Sequence, residues 1–256
     1  MDYDLPGVIS VDVDGPVRVV RLMRPEHLNA VNDELHLGLT RLFPQLSADH
    51  DARVAVITGE GRAFSAGGDF DLLDRMAKDR DLRRDVIAEG RELVLNMIRC
   101  RIPVVAAVNG PAVGLGCSVI ALSDVVYIAE SAYLSDPHVT VGLVAADGGP
   151  LSWPLHTSLL LAKEYAFTGD RIPATRAAEI GLANHVCPDG EVLPAALAAA
   201  QKIAALPRQA VEATKRVLNL HAERAVLATI DFAMASETES FDTPELRANI
   251  DRFLDR

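Results

Sequence analysis

The stretch VVAAVNGPAVGLGCSVIAL, residues 104–122, reads as a buried strand, a glycine-rich loop and the start of a helix. Val104 to Val108 is a short apolar run that stops at the turn pair Asn109-Gly110. Upstream, AVITGEGRAFSAGGDFDL at residues 55–72 follows the same plan. Val54, Val56 and Ile57 lead into Thr58-Gly59, and the small residues Ser65-Ala66-Gly67-Gly68 follow. Small residues let the backbone approach a ligand closely, and helix N-termini add unpaired N–H groups and a positive dipole end. Either loop alone is an ordinary tight turn. The pair, with Val113-Gly114-Leu115-Gly116 as the second, points to an oxyanion hole.

Around these loops the composition fixes the broad class. With 256 residues, 49% of them hydrophobic, the chain can bury a large core. A formal net charge of -11 excludes a broad basic surface for nucleic acid or anionic membranes. The opening MDYDLPGVIS lacks the pattern of a secretion signal and no apolar run is long enough to span a bilayer, so a cytoplasmic location is expected. Cys100, Cys117 and Cys187 are widely spaced and contain no CxxC, which predicts reduced, buried thiols. The histidines show no metal-ligand spacing, and no metal is expected.

Periodicity predicts an α/β chain. Ile9, Val11 and Val13, then Val17 and Val19 beyond Asp14-Gly15, predict an opening β-hairpin. Asn32 is placed to cap a helix reaching about Phe43; further helices are predicted over 70–78, 85–100 and 115–122, with strands at 53–58, 102–108 and 124–129. Residues 131–149 read as a polar loop region. From Leu159 the chain turns helical, with Gly181 as a C-cap and Ala-rich runs at 192–205, 209–220 and 222–240. The organisation expected is a core over 1–190 and a helical region over 191–256.

RPEHLNAV at 24–31, ITGEGRAFSAGGDF at 57–70, VNGPAVGLGC at 108–117 and FTGDRIPATRAAEIGLANHV at 167–186 together resemble the enoyl-CoA hydratase/isomerase, or crotonase, family. The match runs in order over nearly the whole chain. The resemblance implies a crotonase-like spiral of β-β-α units with a helical C-terminal trimerisation region, assembled as a homotrimer or a dimer of trimers. It also implies an acyl-CoA thioester as substrate, with coenzyme A entering only as part of it and no separate cofactor. The thioester carbonyl would sit between the N–H groups of Gly68 and Leu115, with Gly114 shaping the second loop. The adenine and pantetheine portions would lie along Arg24, His27, Leu28, Ala30, Ala66 and Asp69, with Arg24 able to meet phosphate. Asp69 has a competing role as the cap of the following helix.

The departures from the family pattern define the chemistry to be explained. Hydratases of this family place two glutamates over the thioester, and the matching positions here are Ser118 and His138. Ordinary hydration of a 2-enoyl-CoA is therefore not expected. Asp136, His138 and Asp147 share one loop, and the AADGG turn at 145–149 aims Asp147 back toward the thioester. His138, titrating near neutrality, is a candidate acid or base held by an aspartate. Ser118 is a candidate substrate hydrogen-bond donor, or a nucleophile in a Ser-His-Asp arrangement, against a packing hydroxyl. Trp153 and Pro154 are expected to line or back the acyl pocket, and ELRANIDRFLDR at the C-terminus to reach a neighbouring subunit's site. An acyl-CoA enzyme with chemistry run by His138 and an aspartate is the reading favoured; the alternative is a catalytically silent acyl-CoA-binding protein.

Overall fold

The computed structural model of the chain describes residues 2–254. Strands β1 (Ile9–Asp14) and β2 (Val17–Leu22) form the expected hairpin, antiparallel with Val11 opposite Val20. Gly15 supplies the positive φ, +55°, that the tight connection needs. From β2 onward the pairing in this sheet is parallel: β3 (Val54–Gly59), β4 (Val104–Val108), β6 (Val125–Ala129) and β9 (His185–Cys187) complete a six-stranded sheet in the order β1-β2-β3-β4-β6-β9. Every residue of β3 and β4 is buried, which is why these strands read as unbroken apolar runs rather than alternating ones.

A second, three-stranded sheet, β5 (Ala112–Val113), β7 (Tyr133–Ser135) and β8 (Ile172–Pro173), lies beside the first. The chain passes from β4 through β5 into α4 (Leu115–Ala121), and from β6 through β7 into α5 (His138–Val141). This succession of long strand, short strand and helix is the spiral of β-β-α units that the family resemblance implies. Helices α1 (Asp33–Ala48), α2 (Phe70–Lys78) and α3 (Arg80–Arg99) occupy the first half. Short α6 (Gly149–Ser152), then α7 (Leu159–Thr168), α8 (Ala174–Glu179), α9 (Val192–Ala204), α10 (Arg208–Leu227), α11 (Ile230–Ser240) and α12 (Pro244–Phe253) follow. Leu35, Leu39, Leu42 and Leu46 of α1 and Val192, Ala196, Ala200 and Ala204 of α9 enter one core with the large sheet.

Several boundaries differ from the expectation, each for a local reason. Helix α1 runs past Phe43 through Pro44 to Ala48. A proline inside a helix leaves the carbonyl four residues back without its partner, and here the Asn96 side-chain amide donates to Thr40 O at 3.1 Å. Helix α3 begins at Arg80 rather than Asp85 because the Asp79 carboxylate accepts from the N–H groups of Asp81 and Leu82 at 2.9 and 3.1 Å. The two runs expected either side of His221 are one helix, α10, and the break falls instead at Thr229 before α11. Residues 131–149 contain β7, α5 and part of α6, elements of three or four residues that periodicity does not resolve.

Asn29 ties the approach segment to the first loop. It is fully buried with φ 53°, its amide donates to Glu60 O and Ala63 O at 2.9 Å each, and its side-chain oxygen accepts from the Arg24 N–H at 2.8 Å. Asn29→Ala removes these bonds and leaves buried backbone groups unpaired, so a loss of about 3 kcal/mol in urea unfolding is expected. A change under about 0.5 kcal/mol would contradict that account of the loop.

Candidate active site

The two glycine-rich loops are stitched together by backbone hydrogen bonds. Val113 N–H donates to Ser65 O at 2.9 Å, and Ser65 bridges Ala112 in parallel. On its other side the first loop pairs with Val31. Val31 N–H donates to Gly67 O at 2.7 Å and Asp69 N–H to Val31 O at 3.0 Å, so the bonds of this bridge are made by the neighbours of Gly68. The N–H of Gly68 itself is turned away from Val31, as the alternation of an extended segment requires. It has no acceptor within the described chain.

The second loop presents a matching donor. Gly114 donates its own N–H to Ser135 O at 2.9 Å, and its backbone, at φ 51° and ψ -124°, then swings the next peptide around. Leu115 is the first residue of α4, where the helix offers no acceptor for its N–H. A Cβ on Gly67 would lie 3.0 Å from Val113 O, and one on Gly114 would lie 3.6 Å from Gly67 Cα and 3.5 Å from His138 Cε1. The loops and His138 thus converge on one point. Gly68, Leu115, His138, Asp147 and Glu237 line a common pocket, with Leu72, Met76, Val86 and Leu143 among its apolar walls.

His138 and Asp136 form a locked pair. The ring Nδ1 meets Asp136 Oδ1, while Asp136 Oδ2 accepts from Gly149 N–H at 2.9 Å. Asp136 is 1% exposed. Burial disfavours a protonated imidazole, but the adjacent Asp136 carboxylate outweighs it and holds the His138 pKa at about 10. Burial likewise opposes the Asp136 charge, and His138 with the backbone N–H groups keeps its carboxyl below the usual range. The buried Asp136 carboxylate thus favours the charged form of His138, where titration near neutrality was expected of it.

Asp147 faces the other ring nitrogen, with Oδ1 3.8 Å from His138 Nε2. That oxygen is buried and has no hydrogen-bond partner among the described residues. Burial raises the Asp147 carboxyl above its ordinary value despite the nearby imidazolium, and Asp136 adds to the rise. The pocket thus combines two N–H donors without an acceptor among the described residues, an imidazole whose charged form Asp136 favours, and a buried carboxyl with a raised pKa, an arrangement able to hold an oxyanion and move a proton.

Glu237, on α11, is a pocket residue that sequence reasoning missed. Burial, with Asp147 close by, pushes its carboxyl up to about 8, and Ala146 N–H faces it. No local signal marks it, since Glu239 in the same SETES run is exposed. His36 also lines the pocket, its Nδ1 3.0 Å from Glu89 Oε2.

The remaining candidates are placed as follows. Ser118 is buried, and its hydroxyl donates to Gly114 O at 3.3 Å, the bond of a helix-packing serine. It does not line the pocket. Asp69 caps α2, accepting from Asp71 N–H at 3.1 Å, and its other oxygen meets Arg24 at 3.2 Å. The Arg24 guanidinium also donates to Ala30 O. His27 is exposed, Leu28 O accepts from Ala66 N–H at 2.9 Å, and Ala66 lines the pocket. Trp153 is 1% exposed and backs the Gly148-Gly149 turn, a Cβ on Gly149 falling 3.1 Å from its ring. The C-terminal helix α12 packs on its own chain: the Phe253 ring stacks on Phe70 of α2 with centroids 4.1 Å apart, and Arg247 meets Asp74 at 2.7 Å. Residues 255 and 256 of that expectation lie outside the described residues. Among the described residues no group of three or more His, Cys, Asp or Glu could hold a metal ion, and no helix is long and apolar enough to cross a membrane.

The family model described as enoyl-CoA hydratase/isomerase matches residues 12–256. The human protein named Delta(3,5)-Delta(2,4)-dienoyl-CoA isomerase, mitochondrial, is 34% identical over 239 residues, covering 89% of this chain and 73% of that protein. A probable mitochondrial enoyl-CoA hydratase of Dictyostelium discoideum is 28% identical over 247 residues, covering 96% and 88%. Among solved structures, an enoyl-CoA hydratase/isomerase from Mycobacterium paratuberculosis is 64% identical and superposes with a TM-score of 0.96, covering 98% of this chain and all of that one.

Proposed function

The chain belongs to the enoyl-CoA hydratase/isomerase family, and from that membership we propose that it is an isomerase that moves a double bond in an unsaturated acyl-CoA thioester by proton transfer. The thioester oxygen is assigned to the N–H groups of Gly68 and Leu115. Negative charge that spreads onto that oxygen when a neighbouring C–H bond breaks is held there, and one such donor is worth about 10²–10³ in rate. The base is Asp147. The carrying observation is its Oδ1, buried without a partner in the wall of the pocket that those N–H groups share. A carboxylate so placed is a better base than one in water, because its pKa lies closer to the working pH.

His138 is assigned a fixed charge rather than a proton-shuttling role. Its cation stabilises both the Asp147 carboxylate and the enolate, and Asp136 fixes its ring. Water activation finds less support: Ser118 is turned to Gly114 O, and His138 keeps its proton. The relative named as a dienoyl-CoA isomerase is consistent with isomerisation. The CoA portion is assigned to the edge formed by Arg24, His27, Leu28, Ala30, Ala66 and Asp69. Arg24, already bonded to Asp69 and Ala30, shapes that edge as much as it offers charge.

Incubation with saturated, 2-enoyl, 3-enoyl and dienoyl-CoA thioesters, followed by mass spectrometry and chromatography, tests this reading. The expected product is an isomer of unchanged mass from an unsaturated thioester. A product heavier by one water, or released CoA, would replace isomerisation with hydration or hydrolysis. Binding across the panel with no product would make the chain a silent acyl-CoA-binding member of the family.

A further inference from the structure

Asp147 and Glu237 reach the pocket from separate parts of the fold, one on the turn before α6 and the other on α11. We propose that Glu237 is the second proton-carrying residue of this site, returning a proton to one carbon of the acyl group after Asp147 has removed one from another. The inference rests on the isomerase reading above and extends it to substrates in which the two carbons lie too far apart for a single carboxyl.

Glu237 makes no ion pair among the described residues. Arg83, on the neighbouring helix α3, is engaged elsewhere, with Asp242 Oδ1 at 3.1 Å and with Thr238 O at 3.2 Å. A carboxyl in a pocket whose walls include Leu72, Met76, Val86 and Leu143, with no ion pair among the described residues, is costly to ionise and so favours its protonated form. Its carboxyl, at about 8, is protonated at neutral pH, while Asp147 has the His138 cation 3.8 Å away to favour its charge. The other titratable groups near it are His36 and the Asp136-His138 pair. One proton on Glu237 and none on Asp147 is the starting state the reaction needs.

The step balances as follows. Asp147 takes a proton from a C–H bond, and that bond's electron pair moves into the conjugated system and onto the thioester oxygen. The electrons return to form the displaced double bond as Glu237 gives its O–H proton to the distal carbon. Asp147 is then neutral and Glu237 ionised, and transfer of one proton between them restores the starting state. No oxidant, metal or water is consumed.

The test is turnover of the unsaturated acyl-CoA in D2O, with solvent exchange into substrate and isomer formation measured separately. Glu237→Gln keeps the shape and removes the donor. It is expected to lose about 10²-fold or more in isomer formation while still exchanging deuterium at the carbon Asp147 attacks. Glu237→Asp is expected to recover part of the product rate, and affinity for a saturated acyl-CoA is expected to stay near wild type. Wild-type rates of isomer formation in Glu237→Gln would overturn the proposal, as would loss of exchange together with product in a folded, ligand-binding variant. Wild-type protein that neither exchanges nor isomerises would overturn the isomerase reading itself, and the Glu237 role with it.

Discussion

Asp147→Asn is expected to cut isomer formation by about 10²–10⁴-fold while leaving affinity for a saturated acyl-CoA within a few-fold of wild type. The substitution keeps the side-chain volume at the turn and removes only the ability to accept a proton. The Asp147 oxygen facing the pocket has no hydrogen-bond partner among the described residues, so the substitution breaks no hydrogen bond and removes only the 3.8 Å ion pair with His138 Nε2. The same assignment fixes the pH dependence. Burial raises the Asp147 pKa, so the active carboxylate is lost as pH falls through a value above the usual aspartate of about 3.9. The acidic limb of kcat/KM should therefore lie above that figure and disappear from the residual activity of Asp147→Asn. An acidic limb in the ordinary aspartate range, or a variant of full activity, would remove Asp147 from the base role.

Gly114→Ala is expected to lower kcat by about 10²–10³-fold. At φ 51° and ψ -124° this residue occupies a region that an L side chain enters only at a cost of about 1–3 kcal/mol. A Cβ there would sit 3.5 Å from His138 Cε1, an ordinary contact, so the penalty lies in the backbone and not in a clash. Relief comes by rotating the peptide that joins Gly114 to Leu115, which is the peptide carrying the proposed oxyanion donor. Ligand affinity should fall far less than kcat, because the donor acts most strongly on the charge that develops during reaction. Equal losses in kcat and affinity would mean that the loop only binds.

The sequence made the large elements legible because their signals are local. The β1-β2 hairpin follows from alternation around Asp14-Gly15, and β3 and β4 follow from apolar β-branched runs ended by turn pairs. Both glycine-rich loops were visible for the same reason. Strands β5, β7 and β8, at two or three residues each, exist through pairing across the sheet and leave no period to read. The length of α1 was hidden by Pro44, whose effect is compensated by Asn96 from another helix.

Site chemistry divided along the same line. Asp136, His138 and Asp147 lie within twelve residues, and the one segment that runs from β7 through α5 to the start of α6 brings them together. The protonation state of His138 was not legible, since it depends on how deeply Asp136 is buried and on Gly149 N–H holding the carboxylate in place. Ser118 looked equivalent to His138 by position, yet its hydroxyl bonds back along its own helix. Glu237 joins the pocket only through the packing of α11 against α3, a tertiary contact with no trace in the local sequence.

The most direct test of the account is a crystal structure with a saturated acyl-CoA bound, reading the distances from its thioester oxygen. The account predicts that oxygen within about 2.7–3.1 Å of both Gly68 N and Leu115 N, with the Asp147 carboxylate against the adjoining acyl carbons. A thioester held away from those two N–H groups, or an acyl chain that turns its reacting carbons from Asp147, would contradict it.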